Sequence, residues 1–101
     1  MKILAIDFDR VIHDCDHPKD GRKMGEPMVG AKAALTILKN MGYTVIIHSC
    51  NRANVITDFM KYYEIPYDSI WQGEGKPVAD FYIDDKGLRF TTWENTLGKI
   101  L

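Results

Sequence analysis

The sequence is poor in the features that mark several protein classes. Only two cysteines occur among its 101 residues, Cys15 and Cys50; they lie far apart in sequence, and in a reducing compartment we expect no structural disulfide between them. No apolar run approaches the ~20 residues of a membrane span, and the first apolar run is too short for a signal peptide. The net charge of -1 provides no basic field for nucleic acid or an anionic membrane. We therefore expect a cytoplasmic protein with no membrane partner.

What the sequence does contain is the composition of a globular domain. Hydrophobic residues make up 46% of the chain and charged residues 27%, which is ordinary for such domains. A chain of this length buries ~65% of its unfolded surface, enough for one modest core. We expect a single domain over residues 1–101, without internal repeats.

Three short apolar runs predict the strands of a parallel sheet. Ile3–Ile6, Val45–Ile47 and Phe81–Ile83 are rich in β-branched or aromatic residues and lack polar alternation. That pattern is typical of parallel strands covered on both faces. Tyr67–Trp71 is a weaker fourth strand, which we place nearer a sheet edge because Pro66 precedes it.

Helical patterns lie between these runs. The first helix has its apolar residues on one face and ends before a glycine: Ala31, Ala34, Leu35, Leu38, Met41, then Gly42. The second has a similar stripe after a candidate N-cap: Asn54, then Val55, Phe59, Met60 and Tyr63. Glu94–Leu101 is a short last helix. Alternating strands and helices predict an α/β, Rossmann-like, three-layer fold with a small, mainly parallel sheet and right-handed crossovers.

Polar residues suited to phosphate chemistry follow each strand. Asp7 and Asp9 follow the first run, and Ser49 follows the second; Asp84 and Asp85 follow the third. Because the carboxyl ends of parallel strands share one edge of the sheet, we expect these side chains to converge. Asp7 and Asp9 are two residues apart and point the same way, so with Asp84 they would form a hard-oxygen site suited to Mg²⁺. The cation would offset the repulsion between the carboxylates.

Ser49 and Lys76 would supply a phosphoryl group with a hydroxyl donor and a positive charge. Taken singly, residues of these types in such positions are more often turn residues, caps or solvated side chains. Their joint order, each beside an apolar run, favours the functional interpretation.

Four stretches also occur in an order that resembles one known family. DFDRV, VIIHS, Lys76 in GKPVAD, and FYIDD are similar to the four motifs of haloacid dehalogenase-like (HAD) phosphohydrolases, in family order and over nearly the whole chain. The chain looks like the short, cap-less bacterial and phage members. The stretches that separate Asp9, Ser49 and Lys76 are too short for a cap domain, so the resemblance implies a HAD-like fold without one.

The resemblance implies a Mg²⁺-dependent phosphomonoester hydrolase. Asp7 would be the nucleophile that forms an aspartyl-phosphate, and Asp9 would protonate the leaving oxygen and then activate water. Asp7, the backbone carbonyl of Asp9 and Asp84 would hold the metal, with Asp85 as a water-mediated ligand. Ser49 would bind phosphoryl oxygens.

Two further features follow from the same resemblance. Lys76 would pair with Asp7 and with the phosphate. Family members often have glycine after the second aspartate, whereas this chain has Arg10, which would place a charge near the entrance of the site.

Residues 13–29 fit neither helical nor strand spacing, and predict a loop or small hairpin after the first strand. The segment contains HDCDH, in which His13, Cys15 and His17 alternate with acidic residues, a spacing that matches no standard zinc pattern. Arg10, whose charge would lie near the entrance, is a candidate for substrate contact, and so are His13 and His17, because loops beside a site commonly carry function. A solvated loop is the alternative.

Other functions remain open at this point. A phosphotransferase would use the same aspartyl-phosphate, and a receiver-like signalling domain or a non-catalytic phosphate-binding module would keep the fold. Chain order disfavours the receiver, because Lys76 precedes the second acidic pair. The expected partner is a phosphorylated substrate, either a small molecule or the end of a macromolecule, so nucleic acid enters only as a substrate. A second copy of the chain could complete an open site.

Overall fold

The computed structural model describes residues 2–14, 25–49, 52–73, 75, 77–84 and 88–100. Its elements, in chain order, are β1 (Ile3–Asp7), α1 (Ala31–Asn40), β2 (Thr44–His48), α2 (Ala53–Tyr62), β3 (Ser69–Trp71), β4 (Phe81–Asp84), β5 (Leu88–Arg89) and α3 (Trp93–Ile100). None of the helices in the described part of the chain could cross a membrane.

The five strands form one sheet in the order β3-β2-β1-β4-β5, and every neighbouring pair is parallel. The chain therefore starts at the centre, adds two strands on one side, and then adds two on the other. This reversal beside β1 is the topological switch point at which doubly wound sheets bind ligands. The predicted α/β, Rossmann-like fold is confirmed, and the weak fourth strand is β3 at the sheet edge.

One face of the sheet carries the main core and all three helices. Leu4 is aligned with Val45 and Phe81, and Ile6 with Ile47 and Ile83, so these side chains share a face. The helices add their buried residues to the same cluster: Ala31, Ala34, Leu35 and Leu38 from α1, Ile56, Phe59 and Met60 from α2, and Trp93 from α3.

The helix ends differ in detail from the sequence-based prediction. Met41 lies just past α1 and is 57% exposed, so it does not belong to the buried face. Gly42 follows in the left-handed region (φ 92°), as a helix-stopping glycine does. The N-cap of α2 is Arg52 rather than Asn54, which lies inside the helix. The last helix begins at Trp93, whose indole N–H donates to the carbonyl of Val11 at 2.9 Å.

On the opposite face of the sheet, the described residues provide no helix layer of the kind that a three-layer fold suggests. In the described part of the connection from β3 to β4 there is no helix. Tyr82 is aligned with Ala5 and so faces away from the main core. Its hydroxyl donates to the carbonyl of Pro77 at 2.8 Å and accepts from the amide of Ala79 at 3.2 Å. These bonds hold the connection against the sheet, and Ala5 is fully buried.

Two aspartates, Asp68 and Asp80, stabilise the amino-terminal edge of the sheet, and each does so through the same pair of hydrogen bonds. Asp80 donates its amide to the carbonyl of Ile3 at 2.9 Å, and its carboxylate accepts from the Ile3 amide at 2.7 Å. Asp68 makes the same pair of bonds with Val45, at 2.9 and 2.6 Å. Each aspartate precedes a strand and fixes its start against the neighbouring strand, which helps to set the register.

Asp68 also binds the end of α1. Lys39 Nζ lies 2.6 and 2.8 Å from its two carboxylate oxygens and donates to the Tyr43 carbonyl at 3.0 Å. Partial burial would raise the pKa of the Asp68 carboxyl, but the hydrogen bonds from Lys39 and the Val45 amide outweigh it and hold the pKa below its usual value. The ionised form is therefore favoured in the folded state.

We expect Asp68→Ala to lower the free energy of unfolding by about 1–2 kcal/mol at neutral pH, the scale for hydrogen bonds to a charged group that is partly exposed. A lowered pKa gives a contribution that is present above the unfolded-state value of 3.8 and lost as pH falls through the folded-state value. The difference from the unmutated protein, measured by urea unfolding, should therefore shrink below about pH 4.

Asp58→Ala is the matched control, because Asp58 is exposed on α2. Its effect should stay within about 0.5 kcal/mol and should not follow the same pH dependence. Equal stability losses for the two variants would contradict the role of Asp68.

Candidate functional site

Two carboxylates end neighbouring strands at the carboxyl edge of the sheet. Asp7 is the last residue of β1 and Asp84 the last of β4, and the preceding pair, Ile6 and Ile83, are in register. Asp84 is 2% exposed, whereas Asp7 is partly buried. The predicted convergence of these two side chains follows directly from the parallel register.

The surroundings of Asp7 disfavour its charge. Burial raises the pKa of the Asp7 carboxyl, and the nearby charges of Asp9 and Asp84 raise it further, while His48 and a hydrogen bond from the Phe8 amide lower it. His48 is aligned with Asp7 on the adjacent strand β2. The sequence pattern indicates only a packed strand residue at His48, and the parallel register is what brings it to the site.

A tight turn after β1 positions Asp9. The carbonyl of Phe8 accepts hydrogen bonds from the amides of Ile12 and His13, both at 2.9 Å, and the amide of Arg10 donates to the His13 carbonyl at 2.8 Å. Arg10 is exposed and adopts the left-handed region, with φ of 65°, which glycine enters without steric cost. The turn therefore brings His13 back beside Asp9.

His13 is buried between Asp9 and the next segment of chain. Its side-chain Nδ1 lies 3.0 Å from Asp9 Oδ1, and its Nε2 accepts from the Gly25 amide at 2.8 Å. The ring is stacked on Phe8 with centroids 5.2 Å apart, and meets Phe59 edge-on at 5.3 Å. Both nitrogens are engaged within the protein and the residue is 4% exposed, so the predicted substrate contact by His13 has no support from this geometry.

The two described ends of segment 13–29 pair with each other. Met28 donates its amide to the Ile12 carbonyl at 2.7 Å, and Asp14 donates to the Glu26 carbonyl at 2.8 Å. His13 and Pro27 form an antiparallel bridge. Gly25 lies beside these paired ends. A side chain would not fit at this position, because a Cβ there would overlap the carbonyl oxygen of Asp14.

The remaining predicted site residues divide into two groups. Ser49 is partly buried and directly follows β2, so it lies at the same edge of the sheet as Asp7. Lys76, Asp85 and His17 lie outside the described residues, and their predicted roles stay predictions. Arg10 is exposed next to Asp9, in keeping with a position at the rim of the site.

Among the described residues, the predicted cluster of three carboxylates around a metal ion is not seen. Within the described ranges, no group of three or more His, Cys, Asp or Glu side chains is arranged to hold a metal ion. One reason is that Asp9 directs its Oδ1 to His13. Asp7 and Asp84 are the two carboxylates that end neighbouring strands at this edge of the sheet.

Sequence reasoning missed the pairing of His13 with Asp9 and Gly25. The first partner was detectable in principle, because His13 follows Asp9 by four residues and a tight turn joins such positions. The second was not, because it depends on how the hairpin closes.

Comparison with known proteins supports the fold and no more. No family model matches the chain, and no curated protein matches it significantly. A conserved protein from Bacteroides thetaiotaomicron has a similar structure, with a TM-score of 0.75 and 20% sequence identity over 98% of this chain and 88% of that one. A crystal structure from Vibrio cholerae gives a TM-score of 0.60 and 23% identity, over 88% of this chain and 84% of its own. At these identities the likeness extends to the α/β architecture of the chain.

Proposed function

We propose that this chain is a Mg²⁺-dependent phosphomonoester hydrolase of the HAD type that acts through an aspartyl-phosphate on Asp7. The observation that carries the proposal is the position of Asp7 beside Asp9 and Asp84, at the switch point of the sheet, in surroundings that raise the pKa of its carboxyl. A buried carboxylate with acidic neighbours is costly for folding alone, so its presence in a strand-end cleft favours a functional role. We also propose a cytoplasmic location, because two distant cysteines are typical of a reducing compartment.

The donor set is chemically suited to Mg²⁺. Carboxylate and carbonyl oxygens are hard ligands, and this ion binds through one or two carboxylates while keeping several waters. Asp7, Asp84 and the backbone carbonyl of Asp9 would hold it, with Asp85 acting through water. The ion would supply positive charge that stabilises the phosphoryl oxygens and relieves the repulsion that raises the pKa of Asp7.

The proposed reaction has two steps that share the same residues. In the first, a carboxylate oxygen of Asp7 bonds to phosphorus while the ester bond breaks, and Asp9 gives its proton to the departing oxygen. In the second, Asp9 takes a proton from water, the water oxygen bonds to phosphorus, and the bond to Asp7 breaks to release phosphate. Ser49 would donate to a phosphoryl oxygen, and Lys76 would pair with Asp7 and the phosphate.

The main alternatives share this site. A phosphotransferase would pass the phosphoryl group from Asp7 to an acceptor other than water. A receiver-like or phosphate-binding module would accept or bind phosphate without turnover. The contact between His13 and Asp9 supports a catalytic site over a passive binding module, because an oriented second carboxylate serves proton transfer, but it does not distinguish the hydrolase from the phosphotransferase. Substrates would be phosphorylated small molecules or phosphorylated ends of macromolecules.

We expect hydrolysis of an aryl phosphate to require Mg²⁺ and to be abolished by EDTA, because two of the proposed ligands are carboxylates that need a counter-charge. The measurement is the steady-state rate in metal-free buffer, in EDTA, and after Mg²⁺ is restored in excess. Circular dichroism in EDTA serves as the control that the fold persists. Turnover that continues undiminished in EDTA would remove the metal from the mechanism.

We expect Asp7→Asn to eliminate turnover and at the same time to stabilise the metal-free protein at neutral pH. The amide cannot attack phosphorus. A raised pKa means that the favourable contribution of Asp7 is complete below its unfolded-state value of 3.8 and is lost as pH rises through the folded-state value. Asparagine does not ionise, so its advantage in urea unfolding should grow from acid to neutral pH.

Asp58→Asn is again the control, because Asp58 is exposed on α2. It should keep full activity and change the free energy of unfolding by no more than about 0.5 kcal/mol. If Asp7→Asn retained activity near that of the unmutated protein, the nucleophile would be another residue.

We expect Asp9→Asn to slow the first step much more for an alkyl phosphate than for nitrophenyl phosphate. An alkoxide needs a proton as it leaves, whereas nitrophenolate leaves readily without one. Single-turnover kinetics separate this step from the later attack of water, which also uses Asp9. With nitrophenyl phosphate the variant should give a burst of nitrophenol followed by slow hydrolysis. Equal losses for the two leaving groups would exclude the acid role.

A further inference from the structure

The proposed mechanism leaves one feature of the site unexplained. Asp9 must present a carboxyl group in one orientation to give and take a proton, yet its side chain is 34% exposed and follows a turn. An exposed carboxylate on a turn rotates freely unless something holds it. In the described part of the chain, His13 holds this carboxylate through a hydrogen bond of 3.0 Å between its Nδ1 and Asp9 Oδ1.

We propose that His13 is a positioning residue that holds the Asp9 carboxyl in its catalytic orientation, and that Gly25 sets the tautomer of His13 that makes this possible. This inference rests on the proposed function. The three groups form a chain of two hydrogen bonds, from the Gly25 amide to Nε2, and from Nδ1 to Asp9 Oδ1. His13 gains and loses no proton in either step of the reaction.

The tautomer follows from the backbone donor. The Gly25 N–H points at Nε2 from 2.8 Å, so this nitrogen must act as the acceptor. Two N–H groups cannot share that space, which places the proton of the neutral ring on Nδ1. Nδ1–H then donates to Asp9 Oδ1 at 3.0 Å. The other tautomer would direct two acceptors at each other and would lose both bonds.

The ring itself is fixed by packing. Phe8 stacks on one face of His13, and Phe59 from α2 meets it edge-on. Phe8 and Phe59 also contact each other, with centroids 5.1 Å apart. Since Phe8 is the residue between Asp7 and Asp9, the same side chain supports the ring that orients Asp9 and anchors the proposed nucleophile.

The two carboxylate oxygens of Asp9 therefore have different roles in the proposed reaction. Oδ1 is held by His13, and in the proposed mechanism the other oxygen, Oδ2, carries the proton that the leaving oxygen receives. Rotation of the carboxyl would exchange the two oxygens and break the bond to Nδ1. His13 thus restricts the rotation of the Asp9 carboxyl and keeps this acid in one orientation, as a group that supports a catalytic residue does.

Two amide substitutions separate the two ends of the ring. In His13→Asn the side-chain amide occupies the place of Nδ1 and can still donate to Asp9. In His13→Gln it reaches the place of Nε2 and meets Gly25 instead. Both variants lose the aromatic packing against Phe8 and Phe59, so each is the control for the other.

The kinetic readout is the single-turnover rate constant with an alkyl phosphate and with nitrophenyl phosphate. We expect His13→Gln to lose ~10-fold or more on the alkyl phosphate and His13→Asn to stay within ~3-fold of the unmutated protein, a scale typical of residues that orient a catalytic group. Release of nitrophenol should change little in either variant. Equal losses in both variants, or none in either, would overturn the positioning role and leave His13 as a packing residue.

A spectroscopic readout does not depend on activity. Long-range ¹H–¹⁵N spectra distinguish the protonated from the unprotonated ring nitrogen of each of the three histidines in the chain, and the signals lost in His13→Asn identify His13. We expect a neutral ring with the proton on Nδ1. A proton on Nε2 would refute the proposed chain of hydrogen bonds, even in an active enzyme. If the protein hydrolysed no phosphate ester, the catalytic role would fail with the proposed function, while the spectrum would still decide the tautomer.

Discussion

The turn that follows β1 is the constraint on which the site depends. The carbonyl of Phe8 accepts hydrogen bonds from three amides, those of Val11, Ile12 and His13, and these bonds turn the chain back on itself. The aromatic ring of Phe8 is fully buried, so packing in the core anchors the turn, while the polar groups of the turn stay at the edge of the sheet. Asp7 and Asp9 flank this anchored residue, and their spacing is therefore set by hydrophobic packing and not by contacts between the carboxylates.

Aspartate side chains have opposite pKa shifts at the two edges of the sheet. At the amino-terminal edge, Asp68 and Asp80 each bond to the start of a neighbouring strand, and Lys39 holds the pKa of Asp68 below its usual value. At the carboxyl-terminal edge, burial and acidic neighbours raise the pKa of Asp7. Ionised carboxylates thus stabilise the fold at one edge and destabilise it at the other. The neighbours of each carboxyl account for this asymmetry, because they include Lys39 beside Asp68 and the carboxylates of Asp9 and Asp84 beside Asp7.

Much of the fold could be predicted because it depends on local apolar runs. The strands around Ala5, Ile46 and Tyr82 are short and uninterrupted, and the rule that ligands gather at the carboxyl ends of parallel strands leads from them to Asp7 and Asp84. The two-residue strand β5 has no such signal, since a strand of that length exists only through its pairing with β4. The position of the connection before β4 could not be predicted either, because it depends on two hydrogen bonds made by the Tyr82 hydroxyl.

The part of the site that could not be predicted from the sequence depends on backbone conformation. Gly25 carries no catalytic group, and its importance comes from the absence of a Cβ where the Asp14 carbonyl passes. Arg10 occupies a left-handed position that glycine would fill at lower cost, so its side chain is retained against a conformational preference. Arg10 is exposed, so the turn leaves its side chain at the surface beside Asp9. The turn that carries Asp9 and returns to His13 therefore also determines where the side chain of Arg10 emerges.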